Sequence, residues 1–378
     1  MPLKIKANAQ DIAAALEVAV PVTSSRNTIP ILTTVLIEAD DDGDIRIIAT
    51  DQEIGVRCRI AGSVEKPGQV CLNAKVLSRL IREIGDASIT LTADDNHRCR
   101  IQTSDGGKYN LAGANPKEFP ALPVAVNTAA HEMDSETLLQ ALALTKFAIA
   151  TDETRTNLMG LFFQRGDGAV TFTATDGHRL AQVAVDGAGT PIAGCILPLK
   201  GLTALVSALA GFNSKVSIGL DGSEGMTAGI ASATVGDITI SMRLIEGEFP
   251  DYKQVIPKER KIAAEISREK LTTGLRRVST VASERTRGVK LEVGKKLAIS
   301  SINPDVGDGE ESVPVLRGDG TIEIGVNAKY LLDALTALDC ETVELGLVDE
   351  VSPMVIRPIE PEAAVEKRFT YVVMPMRL

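Results

Sequence analysis

Asp176, His178 and Arg179 lie within four positions near the middle of the chain, and Gly177 separates the acid from the histidine. A histidine close to a carboxylate can be a general base oriented by an acid, or one of two metal ligands. The surrounding sequence completes neither site, since it signals no serine or cysteine nucleophile and no third ligand. A structural turn is therefore favoured, and a hydrolase that uses Asp176 and His178 is the less favoured alternative.

Other motifs of enzymes and metal proteins are missing from the sequence, which has no P-loop, no GxGxxG after a strand and no HExxH. The cysteines are odd in number, widely spaced and without a CxxC pair: Cys58, Cys71, Cys99, Cys195 and Cys340. This pattern predicts buried reduced thiols rather than a disulfide framework or a zinc site. We expect no catalysis, no metal and no cofactor.

The composition is that of a globular protein, with 44% hydrophobic and 24% charged residues in a chain of 378. No apolar run approaches the ~18–20 residues that span a bilayer, and the N-terminal residues lack the cleavage pattern of a signal peptide. We therefore expect a cytoplasmic protein. A net charge of -10 argues against nucleic acid as a partner unless positive charge is concentrated locally.

One helical pattern recurs along the chain at intervals of about 125–130 residues, the size of one domain. Each copy holds two amphipathic helices, and a short antiparallel hairpin follows the first of them. The apolar faces of the six helices start at Ile12, Leu77, Leu138, Leu202, Leu271 and Leu331. The sequence therefore predicts an α+β fold with three tandem copies of one domain, over residues 1–125, 126–253 and 254–378. Each copy is predicted to be a duplicated βαβββ unit.

Positive charge is concentrated on the predicted helices. The helix at 74–84 carries Lys75, Arg79 and Arg82 against one acid, and the helix at 268–281 ends with Arg276 and Arg277. If the helices share one side, they form a basic surface suited to sequence-independent contact with phosphates. The alternative is that these charges only solvate helix surfaces, in which case a peptide-binding scaffold without DNA contact stays open.

Four segments in the same order resemble the bacterial DNA sliding clamps, the beta subunits of the replicative DNA polymerase III. They are Arg26 with Ile29-Pro30-Ile31-Leu32, the run Ala174-Thr175-Asp176-Gly177-His178-Arg179-Leu180, Phe249-Pro250-Asp251-Tyr252, and the last eight residues from Tyr371 to Leu378. The resemblance covers essentially the whole chain. It implies a head-to-tail homodimer that closes into a ring, with helices lining the hole and antiparallel sheets outside.

The resemblance also implies a function and a set of partners. The ring would be a processivity factor that slides on duplex DNA without sequence specificity and has no catalysis of its own. Its partners would be double-stranded and primed DNA, the polymerase catalytic subunit, the clamp loader, and repair and translesion polymerases. The proteins among them would bind through short linear peptides.

Three groups of site residues follow from the resemblance. A hydrophobic peptide cleft between the second and third domains would comprise Leu158, Thr175, Gly177, His178, Arg179, Leu180, Pro250, Val255, Asn327, Tyr330, Val351, Val372, Val373, Met374, Pro375, Met376, Arg377 and Leu378. DNA contacts would come from Arg26, Lys75 and Arg155, to which the charge pattern adds Arg276 and Arg277. The dimer contact would include Tyr109, Thr280 and Val281.

Some positions depart from common choices in the family. Thr286 stands where some members place a bulky aromatic residue, and Gln254 and Pro353 also differ, which leaves the peptide preference open. Thr156 and Asn157 replace an aromatic pair that some members use against DNA.

Overall fold

The fold repeats one pattern of strands and helices six times. A computed structural model of the protein describes residues 2–23, 29–123, 131–166, 168–187, 191–211, 213–221, 229–318 and 320–377. Each repeat is a βαβββ unit in which three antiparallel strands, here called the meander, follow the helix. Two such units make one domain, as the sequence predicted, and three domains follow one another along the chain.

The first domain contains β1 (Leu3–Asn8), α1 (Ala9–Ala19), β2 (Thr34–Ala39), β3 (Ile45–Thr50), β4 (Ile54–Ile60), β5 (Ser63–Lys66), β6 (Gly68–Asn73), α2 (Ala74–Ile84), β7 (Ser88–Ala93), β8 (Arg98–Thr103) and β9 (Lys108–Ala114). The second contains β10 (His131–Asp134), α3 (Ser135–Thr145), β11 (Gly160–Gly166), β12 (Ala169–Thr175), β13 (Arg179–Asp186), β14 (Ile192–Pro198), α4 (Leu199–Leu209), β15 (Lys215–Asp221), β16 (Ile230–Val235) and β17 (Ile238–Arg243). The third contains β18 (Ile262–Ser267), α5 (Arg268–Ser279), β19 (Gly288–Val293), β20 (Lys296–Asn303), β21 (Gly307–Gly318), β22 (Ile322–Asn327), α6 (Ala328–Ala337), β23 (Thr342–Leu347), β24 (Met354–Ile359) and β25 (Phe369–Val373). Among the strands of the described residues, β5 alone falls outside the six repeats.

Four of the helices begin where a polar side chain replaces the missing backbone acceptor of the first turn, whereas α4 begins after Pro198 without such a bond. Asn8, Asn73 and Asn327 accept from backbone N–H groups at the starts of α1, α2 and α6, and Ser267 does so for α5. The apolar faces then turn inward: in α1, for example, Ile12 and Leu16 are fully buried. The helical periodicity of the sequence therefore located all six helices to within two or three residues.

The two units of a domain are joined by an exchange of strands. The first strand of each unit pairs with the meander of the other unit: β1 with β7, β6 with β2, β10 with β15, β14 with β11, β18 with β23, and β22 with β19. Each pairing uses the backbone N–H and C=O groups along one edge of the exchanged strand, so neither unit has a complete sheet without the other.

Neighbouring domains are joined by antiparallel pairs of strands. At the first joint β4 pairs with β17, from Ile54 opposite Met242 to Cys58 opposite Ile238. At the second joint β13 pairs with β25, and Leu180 lies opposite Val372. These pairs extend the sheets across domains, into one sheet of 13 strands and one of 12.

The contacts of the fold also divide the chain into two compact bodies. One consists of Met1–Glu136 with Leu197–Leu244, and the other of Thr137–Ile196 with Ile245–Leu378. Each body therefore contains about one half of the central domain. The domain boundaries expected from the sequence stay a prediction. None of the described helices is long and apolar enough to cross a membrane.

Candidate functional site

The turn between β12 and β13 holds Asp176 and His178, and its hydrogen bonds are structural. The Thr175 hydroxyl donates to the carbonyl of Arg179 at 2.6 Å and accepts from the N–H of Gly177 at 3.1 Å. One carboxylate oxygen of Asp176 accepts from the N–H groups of His178 and Arg179, at 2.9 and 3.0 Å. The other accepts from the Arg179 side chain at 3.0 Å. The carboxylate is thus engaged in closing the turn, which is not the geometry of an acid that orients a histidine base.

Gly177 suits the conformation of this turn. Its φ of 87° lies in the left-handed region, which residues with a Cβ rarely adopt. A Cβ built on Gly177 would also meet the guanidinium of Arg155. The turn therefore brings a cleft candidate and a DNA candidate into direct contact.

Arg179 was expected to offer a polar contact at the cleft, and its side chain is only 8% exposed. Its guanidinium donates to Asp176, to Asp333 at 2.6 Å and to the carbonyl of Phe147 at 2.7 Å. Burial disfavours the charged form, but the neighbouring Tyr371, Asp333 and Asp176 outweigh it and raise the pKa of Arg179 above its ordinary value. Arg179 therefore stays a cation at any physiological pH.

An apolar floor lies next to this turn. Leu180, Val372 and Tyr252 are buried together there, because Leu180 and Val372 are cross-strand neighbours in the β13–β25 pair. Half-buried apolar side chains pack against these three: Phe162, Phe249, Val255 and Ile256. Phe162 and Phe249 stack with their ring centroids 4.7 Å apart.

Four residues of this floor were absent from the predicted cleft: Phe162, Phe249, Tyr252 and Ile256. The signal for two of them was available, since Phe249 and Tyr252 belong to one of the segments that carried the family resemblance. Phe162 lies on a strand whose alternating pattern does not indicate which face meets the cleft.

The C-terminal segment is fixed to the edge of this floor. The N–H of Met374 donates to the carbonyl of His178, and the N–H of Met376 donates to the carbonyl of Gly325, both at 2.8 Å. Met374, Pro375 and Met376 are half-buried and Arg377 is exposed, while Leu378 lies outside the described residues. Backbone bonds hold the segment in place, so the methionine side chains are available to line a pocket.

The remaining cleft candidates lie around the same turn and tail. Tyr330 on α6 faces His178, with ring centroids 6.5 Å apart and planes within 15°. Asn327 caps α6 and donates to the carbonyl of Thr286 at 3.1 Å. Leu158 is buried and Pro250 is exposed, each in a segment that leads to or from the apolar floor. Val351 is 82% exposed, in the turn before β24.

A cavity of about 510 Å³ opens beside His178 and Tyr330. Arg155 and Lys329 contribute cations to its lining, and Asp152 and Asp176 contribute carboxylates. Arg155, a DNA candidate, therefore shares a cavity with three residues of the candidate cleft, His178, Arg179 and Tyr330.

The other DNA candidates lie on helix surfaces. Lys75 is exposed on α2, along with Arg79 and Arg82. Arg276 and Arg277 are exposed in the last turn of α5, and Arg277 pairs with Glu311 at 3.1 Å. Arg26 lies outside the described residues.

The three dimer candidates lie at or near two strand edges. Tyr109, on β9, is 39% exposed. Thr280 is exposed just after α5, and the half-buried side chain of Val281 covers Gly309 of β21. In the described part of the chain, residues 108–112 of β9 pair with β8 alone, and residues 307–314 of β21 pair with β20 alone.

The charges at these two edges are opposite. Exposed cations lie on β8 and β9: Arg98, Arg100 and Lys108. Acidic side chains lie along the β21 edge: Asp308, Glu310 and Glu311.

Among the described residues, no group of three or more His, Cys, Asp or Glu side chains is arranged to hold a metal ion.

Comparisons with known proteins agree with this geometry. Three domain families match in order: the N-terminal domain of the DNA polymerase III beta subunit at residues 3–123, its central domain at 132–251 and its C-terminal domain at 253–377. The chain is 30% identical to the beta sliding clamp of Synechococcus elongatus over 94% of each chain. It is 30% identical to that of Escherichia coli over 93% of this chain and 94% of the relative.

Solved structures give the same result over the whole chain. The DNA polymerase III beta subunit of Thermotoga maritima superposes with a TM-score of 0.90 at 26% identity, covering 100% of both chains. A sliding clamp from Bartonella birtlesii, solved bound to griselimycin, gives 0.90 at 29% identity with the same coverage. The chain belongs to the beta sliding clamp family, the beta subunits of bacterial DNA polymerase III.

Proposed function

We propose that this chain is the processivity factor of DNA replication in its cell, a head-to-tail homodimer that closes into a ring around duplex DNA. The single observation that carries the ring is the pairing rule of the strands. The first meander of the first domain pairs with the second meander of the second domain, through β4 and β17. The first meander of the second domain pairs in the same way with the second meander of the third, through β13 and β25.

This rule leaves one meander at each end of the chain without a partner domain. They end in β9, in the first domain, and β21, in the third, whose edges are unpaired over most of their described length. A second copy supplies the missing partner for each edge: β21 of one copy pairs with β9 of the other, twice. Such a heterologous contact closes a ring when two copies meet, and the cationic β9 edge meets the acidic β21 edge.

DNA contact is proposed for the basic helix surfaces. Lys75 on α2 and Arg276 and Arg277 on α5 are exposed, and Arg155 and Arg26 complete the set taken from the sequence. Contacts of these cations with phosphates carry no sequence information, so a ring held by them slides without sequence preference. Because the net charge is -10 and these helix surfaces are basic, the excess of negative charge lies on the other parts of the chain. An acidic surface there disfavours DNA outside the ring.

The apolar floor, together with Met374 and Met376 at its edge, is proposed as the site for short peptides. Leu180, Val372 and Tyr252 supply the buried base, and unbranched methionine side chains suit a surface that binds several related sequences. Through this cleft the ring tethers the polymerase catalytic subunit, the clamp loader, and repair and translesion polymerases. The protein acts in the cytoplasm and has no catalytic activity or cofactor of its own.

One experiment tests the proposed function. The chain is loaded by its clamp loader onto nicked circular DNA, and the DNA is then linearised. A closed ring stays on the circle through high salt, because it is linked to the DNA by topology, and it leaves the linear form by sliding off the ends. Binding that is lost in salt equally on both forms is ordinary phosphate contact, and that result would refute the ring.

A further inference from the structure

Every nitrogen of the Arg179 guanidinium donates a hydrogen bond within the protein. Its three guanidinium nitrogens donate to Asp176, to Asp333 and to the carbonyl of Phe147 at 2.6–3.0 Å. These partners belong to three elements: the β12–β13 turn, α6 and the 3-10 turn after α3. A cation with this set of partners joins the second domain to the third, and it differs from an arginine that is free to meet a ligand.

The guanidinium also supports one wall of the candidate cleft. Its central carbon lies 4.6 Å from the centre of the Tyr330 ring, within the range of a cation–π contact. The hydroxyl of Tyr371 donates to the carbonyl of Tyr330 at 2.9 Å. Arg179 therefore contacts the ring of Tyr330, and Tyr371 binds its backbone carbonyl. The Tyr330 ring is nearly parallel to that of His178.

The first joint has the same backbone as the second. The Thr50 hydroxyl donates to the carbonyl of Ile54 at 2.7 Å, as Thr175 does to Arg179. Asp51 accepts from the N–H groups of Glu53 and Ile54, as Asp176 does from the two residues at the same offsets. The N–H of Arg243 donates to the carbonyl of Glu53 at 2.8 Å, as Met374 does to His178. Ile54 thus stands at the backbone position of Arg179.

The side chains of the first joint are different. Counted from the first residues of α4 and α6, Gly201 stands at the position of Tyr330, and Ala204 at that of Asp333. Lys200 stands at the position of Lys329 and pairs directly with Asp51. A joint with this backbone therefore forms without the arginine, the aromatic ring or the second acid. What Arg179 and Asp333 add at the second joint is not needed for strand pairing.

We propose that Arg179, held by Asp333, is a positioning residue that fixes Tyr330 and His178 as the wall of the peptide cleft without contacting the peptide itself. The inference rests on the proposed peptide-binding function of this cleft. It explains why only the second of two joints with the same backbone would bind peptides: the first lacks both the wall and the residues that hold it.

The double variant Arg179→Ile with Asp333→Ala gives these two positions the residues that the first joint has there, so the chain itself provides a precedent for its folding. Lys329 remains free to pair with Asp176, as Lys200 pairs with Asp51. The probe is the tightest binder among short overlapping peptides that span the polymerase catalytic subunit of the same cell, labelled with fluorescein. We expect the variant to stay a folded dimer and to bind this probe about tenfold or more weakly, since ordering the released side chains of Tyr330 and His178 when the peptide binds costs about that factor.

A spectroscopic measurement separates positioning from direct contact. The chain has 4 tyrosines, so tyrosine-selective ¹³C labelling gives a small set of ring signals that a Tyr330→Phe variant assigns. We expect the Tyr330 signal of the unliganded double variant to shift and broaden while that of Tyr109 stays in place. Loss of affinity with an unchanged Tyr330 signal would make Arg179 a direct peptide contact and would overturn the proposal, as would unchanged affinity.

Two further variants complete the design. Asp51→Asn breaks the equivalent ion pair of the first joint, and it should leave peptide affinity at the wild-type value. If the double variant does not fold, Asp333→Asn, which conserves size, should still move the Tyr330 signal and weaken the peptide. A wild-type chain that binds none of the peptides refutes the proposed cleft, and this inference with it, whereas a defect confined to the variants concerns the inference alone.

Discussion

At the scale of single residues, the five cysteine side chains are buried and carry free thiols. Burial raises the pKa of Cys58, Cys71, Cys99 and Cys195 from 9.0 to about 12. Cys340 rises less, to about 11, through burial and the nearby carboxylate of Glu366. Since the thiolate is the reactive form, all five thiols should be inert in the folded chain.

We predict that a disulfide reagent at pH 8.5 modifies the native chain slowly, with Cys340 first, and that it modifies all 5 thiols rapidly after denaturation.

The raised pKa values of the thiols also determine the sign of the pH effect on stability. A thiol whose pKa is higher in the folded state favours folding below pH 9 and loses this contribution as the pH rises from about 9 towards about 12. The thermal midpoint should therefore fall over that range, and a native thiol reacting like free cysteine at pH 8.5 would contradict the prediction.

Asp176 and His178 show what could not be predicted at this scale. Their types and spacing favoured a structural turn but left a catalytic pair as an alternative, because both need a carboxylate within reach of the next residues. The deciding fact is that the Asp176 oxygens bind backbone N–H groups and Arg179. The partner of Arg179 on the other side, Asp333, is 154 residues away in sequence, and no local pattern indicates such a contact.

At the scale of the element, the C-terminal segment is a strand extension held by two backbone hydrogen bonds. Met374 and Met376 each donate one, to His178 and Gly325. The family resemblance placed this segment at the cleft, and its apolar composition suits a position against the protein. Its position beside β13 follows from the pairing of β25 and could not be derived from composition.

Removing residues 374–378 should abolish peptide binding, because the segment forms one edge of the cleft. The dimer should persist at about twice 40.0 kDa, because β9 and β21 are untouched. The matched variant replaces Met374 and Met376 by alanine and keeps both backbone bonds, so it measures the methionine side chains alone and should weaken binding only in part. Both are measured by anisotropy with the labelled peptide and by mass photometry, and full affinity of the truncated chain would disprove this placement of the cleft.

The elements themselves were the most predictable part of the fold. Apolar residues at i, i+3, i+4 and i+7 predicted α2, α4 and α6, and a face at i, i+4 and i+7 predicted α1, α3 and α5. Alternating strands predicted the hairpins that follow α1, α3 and α5. Two features gave no local signal. The first strand of each unit pairs with the other unit's meander, and β5 adds a strand outside the repeat, since strand pairing depends on partners that are distant in sequence.

At the scale of the whole molecule, the repeat predicted three domains but not how they are joined. The pairs β4–β17 and β13–β25 are antiparallel contacts between domains, and no residue type marks β4 or β13 as an edge awaiting a partner. The unpaired edges of β9 and β21 follow from those pairings. Their opposite charges, with Lys108 on one and Glu310 on the other, make the assembly testable.

The variants Lys108→Glu and Glu310→Lys should each weaken the dimer. In a head-to-tail ring each substitution appears once in each of the two interfaces and places like charges at both, which lowers affinity by several-fold or more at each contact. Lys66→Glu is the matched control, because it makes the same charge change on β5, at the far end of the same sheet. Mass photometry over a dilution series should give the wild-type midpoint for the control and a higher midpoint for both variants.

Mixing the two weakened variants distinguishes a head-to-tail ring from other dimers. When a Lys108→Glu copy meets a Glu310→Lys copy, one interface joins the two new side chains, which are again opposite in charge, and the other joins two unaltered edges. The mixture should therefore dimerise at concentrations where each variant alone is a monomer. A symmetric contact of β9 with β9 would leave the Glu310→Lys dimer at wild-type strength, and one of β21 with β21 would leave the Lys108→Glu dimer unaffected. Weakening of both variants together with rescue in the mixture therefore identifies the β9–β21 contact, and absence of rescue would exclude that contact and with it the proposed closure of the ring.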